Sequence, residues 1–164
     1  MRKYHYAERR QWKSEEFDGL KPTVYDWCRM AAFLDGEGCL NINTCSPSKL
    51  RYIVKITLVN TNYALSAWAL ETFGGNVTYR DHNNPKWKVV SVWSCTAARA
   101  AWIMHNCLPW FILKRAQAVL LMELQENIDG TRQGRGRRVE PGALEKRAVI
   151  RKHISVLNAR GPKH

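Results

Sequence analysis

The stretch MAAFLDGEG at residues 30–38 joins a predicted helix to a predicted strand. Apolar residues recur at helical spacing from Val24 to Leu34, directly after a Pro-Thr pair that is typical of a helix start. The glycines on both sides of Glu37 end this pattern, because glycine disfavours a helix interior. Two carboxylates, those of Asp35 and Glu37, are therefore expected close together at the end of the helix.

The rest of the chain carries further strand and helix patterns. Alternation of apolar and polar residues predicts two strands, over 40–45 and 54–59, around a Ser-Pro-Ser turn. Hydrophobic periods and Gly, Pro and Asn breakers predict a helix over 64–73, strands over 77–81 and 87–93, and helices over 97–106 (capped by Thr96), 111–126 and 143–157. The order αββαββ, followed by helices, indicates an α+β fold.

The length of 164 residues favours a single domain with a packed core. Residues 1–22 have no clear period and are expected to form an amino-terminal arm whose order depends on docking, which leaves 23–164 as the domain. Residues 129–142 hold four glycines and four arginines and are expected to form a mobile basic loop before the last helix. Four tryptophans are expected in the core: Trp68, Trp87, Trp93 and Trp102.

Charge and cysteine content limit the class of protein. A formal net charge of +12 favours a polyanionic partner, although charge alone does not separate DNA from RNA or anionic lipid. Five cysteines without a CxxC pair indicate neither a disulfide framework nor a zinc ribbon, and reduced thiols predict an intracellular protein. The chain has no signal-peptide pattern and no apolar run of the roughly 20 residues that span a bilayer, so no membrane partner is expected.

Residues 30–38 resemble the motif that names the LAGLIDADG homing endonucleases, in the variant that ends Asp-Gly-Glu-Gly. In that family the motif helices of two subunits pack at the dimer axis and deliver the acid before the final glycine into the scissile minor groove. The resemblance implies a homodimer in which Glu37 and Gly36 bind Mg²⁺ or Mn²⁺, while Ca²⁺ binds without supporting cleavage. On this motif alone, solvated turn carboxylates after an ordinary core stripe stay an open alternative. The dimer contacts that the resemblance implies are Trp27, Ala31, Ala32 and Asp35.

Residues 108–118, LPWFILKRAQA, resemble a second family segment, in which a lysine stands three residues ahead of Gln-Ala. The resemblance implies that Lys114 reaches the active site and there organises the attacking water or stabilises charge on the phosphate. In the family a polar residue after the second strand holds an active-site water. That position matches Asn60, with Thr61 as the next choice. A surface lysine at a helix start is the alternative for Lys114.

Residues 73–81 are similar to the family's turn into its third strand, where basic side chains read bases. Arg80 is the main reader candidate, because arginine pairs with guanine O6 and N7 in the major groove. Alternation also turns polar residues of the first two strands away from the apolar side, although solvated strand residues would look the same. The expected DNA contacts are Asn41, Asn43, Lys55, Thr57, Arg80, His82, Lys86 and Lys88 from the sheet, and Arg135, Arg137 and Arg138 from the basic loop.

Together with a carboxy-terminal helix, these matches imply an αββαββα fold whose curved antiparallel sheet lies in the DNA major groove, with extra carboxy-terminal helices. They imply a Mg²⁺-dependent endonuclease that cuts a long, pseudo-palindromic site of double-stranded DNA to leave short 3′ overhangs. The expected setting is a bacterial or phage-infected cytoplasm or an organelle matrix. Two alternatives stay open: a cleavage-inactive intron maturase or DNA-binding regulator on this fold, and a structural or protein-interaction module. Glu37 and Lys114 favour the nuclease.

Overall fold

The computed structural model describes residues 12–45, 51–81, 86–131 and 139–159. Four strands form one antiparallel sheet in the order β1-β2-β4-β3. The predicted α+β class, and the αββαββ order followed by helices, are confirmed. The elements are α1 (Val24–Gly36), β1 (Gly38–Cys45), β2 (Arg51–Asn60), α2 (Tyr63–Phe73), β3 (Asn76–Arg80), β4 (Val90–Thr96), α3 (Ala97–Cys107), a 3₁₀ turn (Leu108–Trp110), α4 (Arg115–Gly130) and α5 (Pro141–Leu157).

Both ends of α1 are determined by local chemistry. At the start, the Asp26 backbone N–H donates to Thr23 Oγ1 over 3.3 Å, and the Asp26 carboxylate accepts from the Thr23 N–H over 2.9 Å, which is a capping box. At the end, a Cβ on Gly38 would lie 2.6 Å from Leu34 Cα. Only glycine therefore allows the chain to turn from α1 into β1 this closely, and this turn carries both motif carboxylates.

The sheet has one apolar face and one largely polar face. Tyr52, Val54, Ile56 and Leu58 alternate along β2 as buried residues, and they pack with the helices in one core. The residues between them face the other side of the sheet, which we call the open face. Trp93 and Trp102 are fully buried in the core and Trp68 is packed against it half-buried, as the sequence predicts for these three.

The described part of the amino-terminal arm docks on α3. Trp12 is buried with its ring edge-on to His105, and Phe17 stacks on Trp102 with 5.3 Å between ring centroids. Arg99 adds an ion pair to Asp18 at 2.5 Å. The described part of the arm therefore packs against α3.

Strand β4 begins later than the sequence predicts. It starts at Val90 and not at Trp87, because its neighbour β3 ends at Arg80, which pairs with Val90. Residues 87–89 thus lie outside β4. Trp87 is 61% exposed, so its predicted place in the core is wrong.

The start of one helix and the cap of another also differ from the prediction. Helix α4 begins at Arg115 and not at Phe111. The backbone N–H groups of residues 112–114 donate to the Asp35 carboxylate, and these residues are not part of the helix. Thr96 is at the N-cap position of α3, but its side chain makes no capping hydrogen bond. The chain turns there through Ala97, whose φ is 54°.

Among the side chains that the structure describes, the thiols of Cys28, Cys39, Cys95 and Cys107 are free. Cys95 and Cys107 are buried, and burial raises the pKa of both. Within the described ranges, no helix combines the length and the apolar character needed to cross a bilayer.

Candidate functional site

Glu37 and Asn60 meet at the point where α1 ends beside the end of β2. Glu37 is the C-cap residue of α1 and is exposed, and its Oε2 accepts a hydrogen bond from Asn60 Nδ2 over 2.6 Å. The Asn60 Oδ1 accepts from the Asn62 backbone N–H over 2.7 Å. This second bond fixes the orientation of the amide, so that its NH₂ group faces the carboxylate. The pair joins two residues that sequence reasoning had proposed separately.

Asp35 points the other way and is held by the segment that precedes α4. Its Oδ2 accepts from the backbone N–H groups of Ile112 at 2.7 Å and Leu113 at 3.2 Å, and its Oδ1 accepts from that of Lys114 at 2.9 Å. Three charge-assisted hydrogen bonds to backbone donors make this a structural carboxylate. It caps a neighbouring segment of its own chain, and the subunit contact that the resemblance implied for Asp35 stays a prediction.

The Lys114 side chain extends to the carboxy-terminal end of α1. Its Nζ donates to the carbonyl oxygens of Leu34 at 2.5 Å, Asp35 at 2.9 Å and Gly38 at 2.7 Å. Burial lowers the pKa of Lys114, and the nearby Asp35 and Cys39 oppose that shift. The lysine thus contacts the backbone on both sides of Glu37, in the region that the resemblance implied, and it is not the surface lysine of the alternative reading.

The residues expected at a dimer contact fall into two groups. Trp27 and Ala31 are buried in the core of this chain, with the Trp27 ring 5.1 Å from those of Phe73 and Trp102. They face inward, because the buried stripe of α1 includes them, and their predicted place at an interface is wrong. Ala32 is exposed on the outer side of the same helix.

The open face carries most of the residues that were expected to read DNA. Asn41 pairs with Lys55, and Thr57 pairs with Cys39 on one side and Ser94 on the other. Asn43 lies on the same face of β1, two residues beyond Asn41. Strand alternation places all of these side chains opposite the buried residues of β1 and β2, as predicted.

The basic candidates beyond β3 divide differently. Arg80 ends β3 and is exposed, and Lys86 and Lys88 are exposed before β4 begins rather than within a strand. His82 and the loop arginines Arg135, Arg137 and Arg138 lie outside the described residues.

Sequence reasoning missed several residues around the site. Asn76, Thr78 and Ser94 share the open face with Arg80 and Thr57. Asn76 and Ser94 fell outside the predicted strands, whereas Thr78 lay in the same predicted strand as Arg80 and followed from its alternation. Arg29 lies over the Trp68 ring at 5.5 Å and lines a cavity of about 440 Å³ together with Phe33, Asn60 and Asn62. The only sequence signal for Arg29 was its place four residues before Phe33 on the outer side of α1.

Solved structures of known proteins share this architecture. The chain matches I-CvuI, a homing endonuclease solved in complex with its target in the presence of calcium, at a TM-score of 0.68 and 21% identity over 86% of this chain and 87% of that one. A second I-CvuI structure, with magnesium and uncleaved DNA, gives 0.65 and 20% identity over 85% and 86%. The chain has the LAGLIDADG homing endonuclease fold.

The archaeal intron-encoded homing endonuclease I-Vdi141I, complexed with DNA, has the same fold. It matches with a TM-score of 0.67 and 11% identity over 85% of this chain and 87% of that chain. No protein-family model and no curated protein sequence matches the chain. The likeness is therefore one of backbone architecture, and the chemistry has to be argued from the residues of this chain.

The carboxylate chemistry of the turn fits a hard divalent cation, but one chain does not complete a site. Glu37 offers exposed carboxylate oxygens, and the neighbouring Gly36 offers a backbone carbonyl, the ligand types that Mg²⁺ and Ca²⁺ prefer. In the part of the chain that the structure describes, no three His, Cys, Asp or Glu side chains gather closely enough to hold a metal ion. A complete site requires oxygens from elsewhere, such as a phosphate or a second subunit.

Proposed function

We propose that this protein is a site-specific, divalent-metal-dependent endonuclease for double-stranded DNA, and that it works as a homodimer. One observation carries the proposal: the exposed Glu37 carboxylate lies at the end of α1, directly before strand β1 of the sheet. Asn60 orients this carboxylate. A single acid placed beside a polar sheet surface suits the hydrolysis of a phosphodiester lying across that edge. The formal charge of +12 supports a polyanionic substrate.

Glu37, with the carbonyl of Gly36, would hold the metal, with Mg²⁺ or Mn²⁺ active and Ca²⁺ binding without supporting cleavage. A bound Mg²⁺ supplies Lewis-acid polarisation of the phosphate and activation of a water. Asn60 orients the Glu37 carboxylate by donating a 2.6 Å hydrogen bond to Oε2. This bond does not use the other carboxylate oxygen, Oε1. The predicted 3′ overhangs of the cut DNA belong to the proposal.

The incomplete site and the surface of α1 support the proposed homodimer. Ala32 and Gly36 stand one turn apart on the exposed side of this helix, and small side chains allow two helices to approach closely. Large apolar residues are exposed beyond both ends of that stripe: Tyr25 at 78%, and Ile112 and Leu113 at 86% and 71%. Exposed apolar surface of this kind is typical of a protein contact. A second copy packed there would bring two Glu37 carboxylates together at a two-fold axis.

The open face is the proposed DNA surface. Asn43, Lys55, Thr57 and Arg80 offer amide, hydroxyl and cationic groups on one side of a twisted sheet, and such groups recognise base edges and phosphates in the major groove. Asn41 lies on the same side, but its Oδ1 is buried. A β-strand surface can enter that groove because of its width.

Selection of a target followed by a change of metal tests the proposal. The protein is first mixed with the joined genomic flanks of its own gene and with a randomised duplex pool in Ca²⁺, and bound DNA is recovered. Mg²⁺ is then added. We expect one selected sequence to be cut on both strands, with a dimer seen by sedimentation. Recovery of a specific sequence that stays uncut in Mg²⁺ and Mn²⁺ would favour the binding protein over the nuclease, and no specific recovery would reject both.

The DNA surface has its own test in Arg80→Ala. Removing one phosphate or base contact should weaken binding and reduce the slope of log affinity against log salt by about 1. Lys21→Ala is the matched control, because it removes the same charge from the docked arm, where Lys21 pairs with Glu16 at 3.1 Å. Equal losses for the two variants would show that only net charge matters and that the open face does not read DNA.

A further inference from the structure

The donors of the Lys114 side chain are all used within the protein. A protonated lysine has three N–H groups, and the structure gives Nζ three carbonyl acceptors at 2.5, 2.9 and 2.7 Å. A phosphate oxygen or an attacking water could bind this ammonium group only by replacing one of those carbonyls. The replaced carbonyl would then lose its partner in a partly buried place, which costs about 1–3 kcal/mol.

The three acceptors lie on both sides of Glu37. Leu34 and Asp35 belong to the last turn of α1, where the helix does not use the full acceptor capacity of the carbonyl groups and where these groups carry the negative end of the helix dipole. Gly38 is the first residue of β1. One cation therefore ties the end of the helix to the start of the strand, and Glu37 lies between the two tied points.

Asp35 makes the same connection in the opposite direction. Its carboxylate binds the backbone N–H groups of Ile112, Leu113 and Lys114, while Lys114 binds the carbonyl of Asp35 itself. Six hydrogen bonds thus connect the end of α1 and the start of β1 to the segment before α4. We call this set the Asp35–Lys114 lock. It fixes the backbone around Glu37 but makes no bond to the Glu37 side chain.

From this geometry we infer that Lys114 is a positioning residue, which holds the Glu37 backbone in the place from which the carboxylate binds metal and does not itself contact the scissile phosphate. The inference rests on the proposed function. A metal ligand needs a supported backbone, because a site that is about 0.5 Å out of place loses much of its activity. The lock provides that support on one side, and Asn60 orients the carboxylate on the other.

The test is single-turnover cleavage of the selected DNA over a range of Mg²⁺ concentrations, with the full-length protein. In Lys114→Met, the Mg²⁺ concentration that gives half the maximal rate should rise about 10-fold to 100-fold, as for lost support of a metal ligand. The rate at saturating Mg²⁺, the shape of the pH profile and the DNA affinity in Ca²⁺ should stay close to wild type. Arg115→Met, which removes the neighbouring exposed cation, should behave like wild type.

Asp35→Asn breaks the lock from its other end and covers the case in which Lys114→Met does not fold. Positioning predicts a raised Mg²⁺ requirement in this variant also, whereas a direct phosphate contact by Lys114 predicts no change. The inference is overturned if Lys114→Met keeps the wild-type Mg²⁺ dependence and loses rate at saturation, or if Asp35→Asn leaves that dependence unchanged. A wild-type protein that cuts no DNA in any divalent metal overturns the proposed function and the inference together.

Discussion

Two chemically similar carboxylates at the end of α1, those of Asp35 and Glu37, have opposite surroundings. On the α4 side, Asp35 accepts three backbone N–H groups, which hold it in a structural role. On the β2 side, Glu37 is exposed and accepts one described hydrogen bond, from Asn60. Two residues in sequence therefore separate a carboxylate used for folding from one left available for a ligand.

This difference teaches how a short motif can serve structure and chemistry at once. A carboxylate saturated by backbone donors is expensive to move, because each donor would lose its partner. A carboxylate with one amide partner can accept a cation at little structural cost. The Asp35 side thus makes the turn rigid, and the Glu37 side leaves it reactive.

The largest effect is expected from Glu37→Gln. Glutamine keeps an oxygen that can accept from Asn60 but removes the charge that a divalent cation needs, so the cleavage rate should fall by about 10²–10³-fold. DNA affinity in Ca²⁺-free buffer and the thermal midpoint should change little, since exposed substitutions usually alter stability by about 0.5 kcal/mol or less. Plasmid cleavage and thermal unfolding measure the two quantities. A variant that still cuts at the wild-type rate removes Glu37 from the proposed site.

A smaller effect is expected from Asn60→Ala, which leaves the Glu37 carboxylate without its orienting amide. Loss of such a supporting group typically costs about 10-fold to 100-fold in metal affinity or activity. Mg²⁺ titration of the cleavage rate measures it. Thr61→Ala, at the other position that the sequence offered for this role, should match wild type. If the Thr61 variant is the defective one, the assignment of this role to Asn60 is wrong.

The smallest effect on catalysis, with the clearest effect on folding, is expected from Asp35→Asn. The asparagine side chain presents an NH₂ group to backbone donors that need an acceptor, so the free energy of unfolding should fall by about 1–3 kcal/mol. Chemical denaturation of this variant and of Glu37→Gln, under the same conditions, measures the two free energies of unfolding. Cleavage at saturating Mg²⁺ should stay close to wild type. Equal stability in the two variants would contradict the division between the two sides of the turn.

Local patterns predicted the elements well where the signal came from neighbouring residues. The Pro22-Thr23 pair marked the start of α1, and alternation along β2 showed which of its side chains are buried. The errors occurred where distant contacts decide. Trp87 looked like a strand residue, but β3 ends too early to pair with it, and α4 starts late because Asp35 binds the segment before it.

The sequence predicted which residues belong to the site, but it did not predict how they are arranged. Glu37, Asn60 and Lys114 were each chosen from the sequence, and the structure brings all three to one turn. The direction of Lys114 could not be foreseen, because a lysine stem is flexible and its acceptors lie 76 to 80 residues away in sequence. The resemblance assigned Trp27 and Ala31 to an interface. The sequence could not correct this, because a helical stripe of apolar residues looks the same whether it packs into the core of its own chain or against a partner.

From the amino-acid order one obtains the helix and strand periods, the acid before the last motif glycine, and the basic charge that favours a polyanion. Three features came only from the folded chain: the pairing of Asn60 with Glu37 across 23 residues, the capture of Asp35 by residues 112–114, and the inward placement of Trp27. The physical reason is range. Periodicity depends on backbone geometry over a few residues, whereas the partner of a carboxylate depends on how several packed elements meet.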